Sequence, residues 1–354
     1  MANKINKFEL PRLVLIGGGS IEEIGDVASQ LSQGKSALII AGPKTIKIAG
    51  GTAKDFLEEE GFTVSKYISD FATNEQVEGA QKAIKEEDAD IVLGIGGGTP
   101  IDIAKLSSTR EKIPFISIPT AASHDGMGSP IASIHDKEGK GKYTSYPTRA
   151  PIAIIADTSI IKTAPYRMTA SGCADLISNY TAVEDWKLAH RLKGEYYGDY
   201  SAALSIMSAE VILENAGVIK ENLETSISLV VESLLSSGTA MCIAGSSRPC
   251  SGAEHLFSHA LDRIAEKPAM HGEQCGVGTI LTAYLHKLDW KEFRDALKKI
   301  GAPVNAEELG ISEEEVIKAL TTAHTLRKRY TVLGRNGLSE EAAREVAKKT
   351  GVIQ

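Results

Sequence analysis

Cysteine is scarce in this chain: four in 354 residues, at positions 173, 242, 250 and 275, with no CxxC pair. That excludes a disulfide framework and a zinc ribbon, and points to a reducing, cytoplasmic compartment. Long basic runs are missing as well, and the formal net charge is −7. A nucleic-acid surface is therefore not expected. We find no apolar run near the roughly 18 residues needed to span a bilayer, so no membrane insertion is expected. The opening stretch MANKINKFELPRLVLIGGG has an apolar segment too short for a signal-peptide core, and it ends in a glycine turn.

What the chain does have is length and pattern. At roughly 100–200 residues per domain, 354 residues suggest two. Short branched-aliphatic segments (RLVLIG, SALIIAG, ADIVLGIG, IPFISIPT) alternate with amphipathic ones such as GTAKDFLEEEG and NEQVEGAQKAIKEED. This is the signature of a parallel sheet with crossover helices, covered on both faces. The stretch from Gly128 to Asp157 reads as a β-hairpin around a Gly/Lys-rich turn. From about Thr163 the periodicity is helical. The expected architecture is a Rossmann-like α/β domain over 1–162, with a parallel sheet plus a hairpin, then an all-α domain over 163–354.

ADIVLGIGGGTPIDIAK runs a strand into Gly96, Gly97 and Gly98, then Thr99, Pro100 and a helix. Glycines allow close backbone approach, and free amides at a helix start suit a phosphate. The turn reads either as a pyrophosphate cradle or as a tight strand-to-helix connection. It lacks the GxGxxG fingerprint. The second strand ends in Ala41, Gly42 and Pro43, where a dinucleotide fold often carries an acid for the ribose. With no carboxylate there to repel a 2′-phosphate, kcat/KM for the two nicotinamide cofactors is expected to differ by less than about tenfold. A steady-state comparison of NADH with NADPH checks this, and a strong preference for NADH contradicts it.

Three of the chain's eight histidines fall between Ser251 and Gly276. His255 and His259 are one helical turn apart and share a face. His271 follows a break at Pro268. A helix, a turn and a second helix can bring His255 and His271 together, as a catalytic zinc with three protein ligands and one open position requires. An ordinary exposed helix face would carry histidines too. Asp175, in TASGCADLISNY, is the best carboxylate for such a site, although it also suits the N-terminal end of a helix.

GIGGGTPIDIAK, IPTAASHDGMGSP, SGCADLISNYTAVEDW, SGAEHLFSHALD and HGEQCGVGTI occur in this order over about residues 94–280. Together they resemble the sn-glycerol-1-phosphate dehydrogenases, which serve archaeal lipid synthesis. That family lies within the group of glycerol dehydrogenases, iron-type alcohol dehydrogenases and dehydroquinate synthases. The resemblance implies that Gly97, Gly98, Thr99, Pro100 and Ile101 line the NAD or NADP pyrophosphate. It also implies cofactor contacts for Thr120, Ala121, Ala122, Ser123 and Ser129. Asp175, His255 and His271 would hold one Zn2+ per subunit, with Asp175 also reaching the substrate. Asp125 and His259 would be the substrate-side, catalytic pair. The implied reaction is reduction of dihydroxyacetone phosphate by NAD(P)H, with a small phosphorylated substrate as partner and a homo-oligomer as assembly. Rival readings are a dehydrogenase of free glycerol, a dehydroquinate synthase-like lyase and a non-catalytic nucleotide-binding subunit.

No residue is assigned to the substrate phosphate. Lys140, Lys142, Arg149, Lys162 and Arg248 read as solvated, as does the run Arg327-Lys328-Arg329 on an expected helix. The backbone amides of Gly126, Met127 and Gly128 are an alternative. His124 reads either as a group ordering Asp125 or as a packed side chain.

Overall fold

The structure is a computed structural model that describes residues 7–137 and 140–354, without the side chains of 137–143. Lys140 and Lys142 therefore lie outside the described side chains. The chain divides into two compact units. One holds residues up to Ala164 together with Met241–Ser246; the other holds Pro165–Ala240 and Ser247–Gln354. A single cut after residue 162 leaves Met241–Ser246 with the helical part, whereas in the structure they cluster with the first unit.

The first unit is built on six strands: β1 (Leu13–Gly17), β2 (Ser36–Ala41), β3 (Thr63–Ile68), β4 (Ile91–Gly96), β5 (Phe115–Pro119) and β8 (Ala153–Asp157). They pair in the order β1-β8-β5-β4-β2-β3, every pair parallel. The four inner strands are buried along nearly their whole length, which their unbroken aliphatic runs require. The edge strands β1 and β3 are partly exposed. Helices α1 (Ile24–Leu31), α2 (Gly51–Glu59), α3 (Asn74–Glu86) and α4 (Gly98–Glu111) connect the strands. Ile39, Ile95, Ile116 and Ile155 from the sheet pack with Ile24, Val27 and Leu57 from the helices to form the core.

The hairpin is shorter than the sequence suggests. β6 (Ile131–Lys137) and β7 (Lys140–Pro147) pair antiparallel, but Ala153–Asp157 leaves them and enters the main sheet between β1 and β5. The proline pair Pro147 and Pro151 marks the separation, since neither can continue a ladder as a donor.

After the short α5 (Thr158–Ile161), the second unit is helical: α6 (Tyr166–Lys193), α7 (Asp199–Asn215), α8 (Leu223–Ala244), α9 (Ala253–Ile264) and α10 (His271–Leu285). Then follow α11 (Trp290–Ile300), α12 (Ala306–Leu309), α13 (Glu313–Thr322) and α14 (Glu340–Thr350). Contrary to the expectation that no span-length apolar stretch exists, α8 is long and apolar enough to cross a membrane; 67% of its apolar window is buried within the fold, as in a core helix. Within it Ser233 and Thr239 donate to the backbone carbonyls one turn back, Leu229 O and Leu235 O.

Candidate active site

Two sets of side chains carry chemistry, one in each unit. In the first, β2 and β4 are sheet neighbours although β3 lies between them in sequence, so the chain reverses direction across the sheet there. Open α/β sheets bind ligands at the carboxyl ends of strands beside such a switch. Thr45 Oγ1 ties the two strand ends together: it accepts from Gly42 N at 2.9 Å and donates to Ile95 O at 2.8 Å. Gly96 turns the chain at φ +150°, a conformation side chains rarely adopt. Gly98 begins α4, followed by Thr99, Pro100 and Ile101, so free helix-start amides lie at the carboxyl end of β4.

Gly97 is the informative glycine. Its φ is −82°, and a Cβ there would meet no atom within 4 Å. The protein's own packing does not require a glycine at this position, and the open space leaves the backbone accessible to a ligand. Gly97→Ala is accordingly expected to leave thermal stability within about 1 kcal/mol of wild type while raising KM for the dinucleotide at least about tenfold. Melting curves beside cofactor kinetics check this.

Thr120, Ala121 and Ala122 follow the neighbouring strand β5 and are buried. Thr120 N donates to Gly96 O at 3.0 Å, so this segment is fastened to the glycine turn. Ser123 comes next, and Ser129, also buried, donates to Ile131 O. Asp125 opens a short 3-10 turn, Asp125–Met127, and is partly exposed. His124 orders that turn: its Nδ1 accepts from Gly126 N at 3.0 Å. Burial pushes the His124 pKa down, which keeps the ring neutral and able to accept. Its Nε2 lies only 2.6 Å from where a Cβ on Gly98 would sit, so this one imidazole joins the Asp125 turn to the glycine turn.

Beneath them lies Lys105, fully buried, which no motif in the chain marks out. Its Nζ donates to Gly126 O at 2.7 Å and Ile131 O at 2.8 Å, and faces Asp102 Oδ1 at 3.5 Å. Burial pushes its pKa down, and Asp102 opposes the shift. Asp102 in turn accepts from Ser133 N. This buried pair fixes the loop that carries Asp125 from below.

In the second unit, Asp175 on α6, His255 on α9 and His271 at the first position of α10 converge. Asp175 Oδ1 lies 3.6 Å from His255 Nε2 and 3.7 Å from His271 Nε2. These gaps are too long for hydrogen bonds. Two ligands of one tetrahedral zinc, each at about 2.0–2.1 Å, stand about 3.3–3.4 Å apart, so the spacing suits a shared cation. Cys275, one turn after His271, joins the group, and all four candidate ligand atoms lie within 4.8 Å of one another.

The remaining ring nitrogens are held in the manner metal-ligating histidines require. His255 Nδ1 faces Glu254 Oε1 at 3.0 Å, and Glu254 is itself wholly buried, bonded by Thr181 Oγ1 and Gly252 N. Burial pushes the Glu254 pKa up, but His255 and the Gly252 N–H outweigh it and bring it below the ordinary value. His271 Nδ1 meets Ser258 Oγ at 3.1 Å, and Ser258 donates to Gln274 Oε1 at 2.9 Å. Both Nε2 atoms are thereby turned toward Asp175. These partners were missed in the sequence, although Glu254 adjoins His255 and Ser258 is one turn on.

Close helix packing assembles the group. A Cβ on Gly272 would lie 2.0 Å from Ser171 O on α6, and one on Gly278 would lie 2.9 Å from Glu254 O on α9. The glycines of HGEQCGVG let α10 lie directly against both partner helices. Arg167 clamps Glu273 with two bonds, of 2.5 and 2.7 Å, and Glu273 accepts the Met270 N–H, which sets the start of α10 and thus His271.

His259 is close but outside this set. Its ring is 5.8 Å from His271 and 6.2 Å from His255. Arg327 Nη2 donates to its Nε2 at 3.1 Å. Burial first, then Arg327 and the neighbouring cations, push its pKa well below the usual imidazole value.

The basic residues read as solvated divide. Arg149 and Lys162 are exposed. Arg248 is not: it is 3% exposed, pairs with both oxygens of Glu195 and donates to Tyr330 O. Arg327 and Arg329 do not sit on a helix, because α13 ends at Thr322 and a 3-10 turn follows at Ala323–Thr325. Both are part-buried, and Arg329 donates to Ser251 O and Ser247 Oγ.

Residues 15–165 match the family described as iron-containing alcohol dehydrogenase, and the two-unit fold is shared with solved dehydrogenases of that kind. Glycerol dehydrogenase from Schizosaccharomyces pombe superposes with a TM-score of 0.80 at 22% identity, covering 99% of this chain and 94% of that one. NADH-dependent butanol dehydrogenase A from Thermotoga maritima does so with a TM-score of 0.75 at 20% identity, covering 98% of each chain.

Sequence likeness narrows the class. Glycerol-1-phosphate dehydrogenase [NAD(P)+] from Methanosarcina acetivorans is 55% identical over 99% of this chain and 98% of its own length. The enzyme of that name from Thermococcus kodakarensis is 52% identical over the full length of both. The chain belongs to the glycerol-1-phosphate dehydrogenase family.

Proposed function

We propose that this protein reduces dihydroxyacetone phosphate to sn-glycerol 1-phosphate with NADH or NADPH, reversibly, holding one zinc ion per subunit. The observation that carries the reading is the convergence of Asp175, His255 and His271 at ligand spacing in a chain 55% identical to a glycerol-1-phosphate dehydrogenase. The first unit is the dinucleotide domain: Gly97, Gly98, Thr99, Pro100 and Ile101 line the pyrophosphate, with the amides of Gly97, Gly98 and Thr99 as its donors, and Thr120, Ala121, Ala122, Ser123 and Ser129 line the nicotinamide side. The second unit holds the cation and the substrate.

When bound, the cation supplies Lewis-acid polarisation of the ketone and the dinucleotide supplies the hydride. The chain's own residues do the rest. Asp175 contributes the negative charge of the cation site and a contact to the substrate, and Glu254 and Ser258 keep both imidazoles turned toward Asp175. Asp125 contacts the substrate from its ordered turn. His259, kept neutral by burial, carries its exchangeable proton on Nδ1 because Nε2 accepts from Arg327, and acts as a substrate-side proton carrier.

Archaeal-type lipid backbones are the implied destination of the product. Four buried cysteines, none of them in a disulfide, fit a cytoplasmic protein. Leu192 on α6, Tyr196 in the loop after it, and Tyr200 and Met207 on α7, each more than half exposed, offer an apolar face for a homo-oligomer.

The test compares substrates. With NADH, dihydroxyacetone phosphate should be reduced at least about a hundredfold more efficiently than free dihydroxyacetone. In reverse, sn-glycerol 1-phosphate should be oxidised in preference to both glycerol and sn-glycerol 3-phosphate. Preference for free glycerol sinks the proposal in favour of a polyol dehydrogenase.

A further inference from the structure

We propose that Arg327, supported by Arg263, is the anchor for the phosphate of the substrate. The inference rests on the phosphorylated-triose reading above and supplies the contact that reading leaves open. Three observations carry it.

The first is position. Arg327 Nη2 is bonded to His259 Nε2 at 3.1 Å, and the His259 ring stacks on His271 at 5.8 Å, with 18° between their planes. The guanidinium thus stands one imidazole away from the cation ligands. In dihydroxyacetone phosphate the carbonyl oxygen and the phosphorus are about 4–5 Å apart by ordinary covalent lengths. A phosphate on a ketone whose oxygen is held among Asp175, His255 and His271 can therefore reach the far side of His259, where Arg327 lies.

The second is construction. His255, His259 and Arg263 follow at four-residue steps on α9 and share one face. Arg327 arrives from the bend after α13, and Arg329 fastens that bend to the residues before α9 through Ser247 and Ser251. The cations are thus brought together from separate elements on a fixed frame. A planar guanidinium with paired donors is the group suited to a phosphate.

The third is electrostatic. Burial pushes the pKa of Arg327 down and Arg263 pushes it further; burial pushes Arg329 to about 9, with Arg327 and Arg248 adding to the shift. Burial dominates both shifts, and a phosphate dianion would relieve the repulsion among these cations that adds to it. Asp262, beside Arg263, feels its charge and also accepts from Gln274 Nε2 at 3.1 Å.

The experiment uses the zinc-loaded protein and its Arg327→Ala, Arg327→Lys and Arg263→Ala variants. Each is assayed on dihydroxyacetone phosphate and on free dihydroxyacetone, with inorganic phosphate as competing probe. Arg327→Ala should lower the ratio of the two kcat/KM values about a hundredfold and abolish competition by inorganic phosphate. Arg327→Lys should recover part of both, and Arg263→Ala should show a smaller loss of each. If Arg327 only props His259, both substrates fall together, the ratio holds and lysine rescues nothing; that result overturns the inference. Should Arg327→Ala not fold, an unaltered ratio and unaltered phosphate competition in Arg327→Lys and Arg263→Ala together overturn it. A wild-type protein with no preference for the phosphorylated triose refutes the functional reading itself. A wild type with the preference and an Arg327→Ala that retains it refutes only this assignment.

Discussion

Substituting His271 by alanine is expected to release the cation and lower turnover by about three orders of magnitude or more, with the fold retained. The side chain is 34% exposed and lies at the first position of α10, where Glu273, Arg167 and Met270 set the helix start without it. Removing the imidazole therefore costs little packing. It leaves Asp175 and His255 with only the Cys275 thiol beside them, which burial holds in its neutral form, so the site falls short of the three protein ligands a catalytic zinc uses. Metal analysis after dialysis, kinetics on dihydroxyacetone phosphate and a melting curve check the three parts separately. Full zinc content in the variant contradicts the ligand assignment.

The adjacent residue gives the largest effect on stability. Gly272→Ala would normally favour a helix by about 1 kcal/mol. Here the new Cβ would meet Ser171 O at 2.0 Å and Ser171 C at 2.7 Å, both backbone atoms. Neither can swing aside, so α10 must move off α6, and the expected cost is about 3 kcal/mol or more. Ser171 lies one helical turn before Asp175, and Gly272 directly follows His271. The same displacement opens the gap between those two ligands, so zinc affinity should fall along with the unfolding midpoint. An increase in stability would show that the α6–α10 contact is looser than described.

Much of this was legible in the chain, for physical reasons that differ from place to place. β2, β4 and β5 announce themselves because strands covered on both faces must be aliphatic throughout. β3, TVSKYI, sits at the sheet edge with alternating exposure, and its mixed composition hides it. β8 was absorbed into the hairpin because only the main sheet, a long-range partner, distinguishes it from β7. The histidines could be read because helical spacing puts His255 and His259 on one face. Cys275 and Ser258 enter the site only once α9 and α10 are packed.

Charges misled most where the helix pattern ran past its real end. HTLRKRY continues the periodicity of α13, so its arginines were counted as a solvated face. In the structure the helix stops at Thr322, and the bend turns Arg327 toward His259 and Arg329 toward the loop before α9. Lys105 is the same lesson in the first unit. Nothing in IDIAKLSS distinguishes a lysine that is wholly buried and spent on two carbonyls.

X-ray absorption at the zinc edge of the wild-type protein tests the central claim, an open cation site held by one carboxylate and two imidazoles, most directly. The account predicts one zinc per chain, with a first shell of nitrogen and oxygen only at about 2.0–2.1 Å and the imidazole scattering of two histidines. A full sulfur neighbour at about 2.3 Å would make Cys275 the fourth protein ligand and the site a closed, structural one, and that would contradict it.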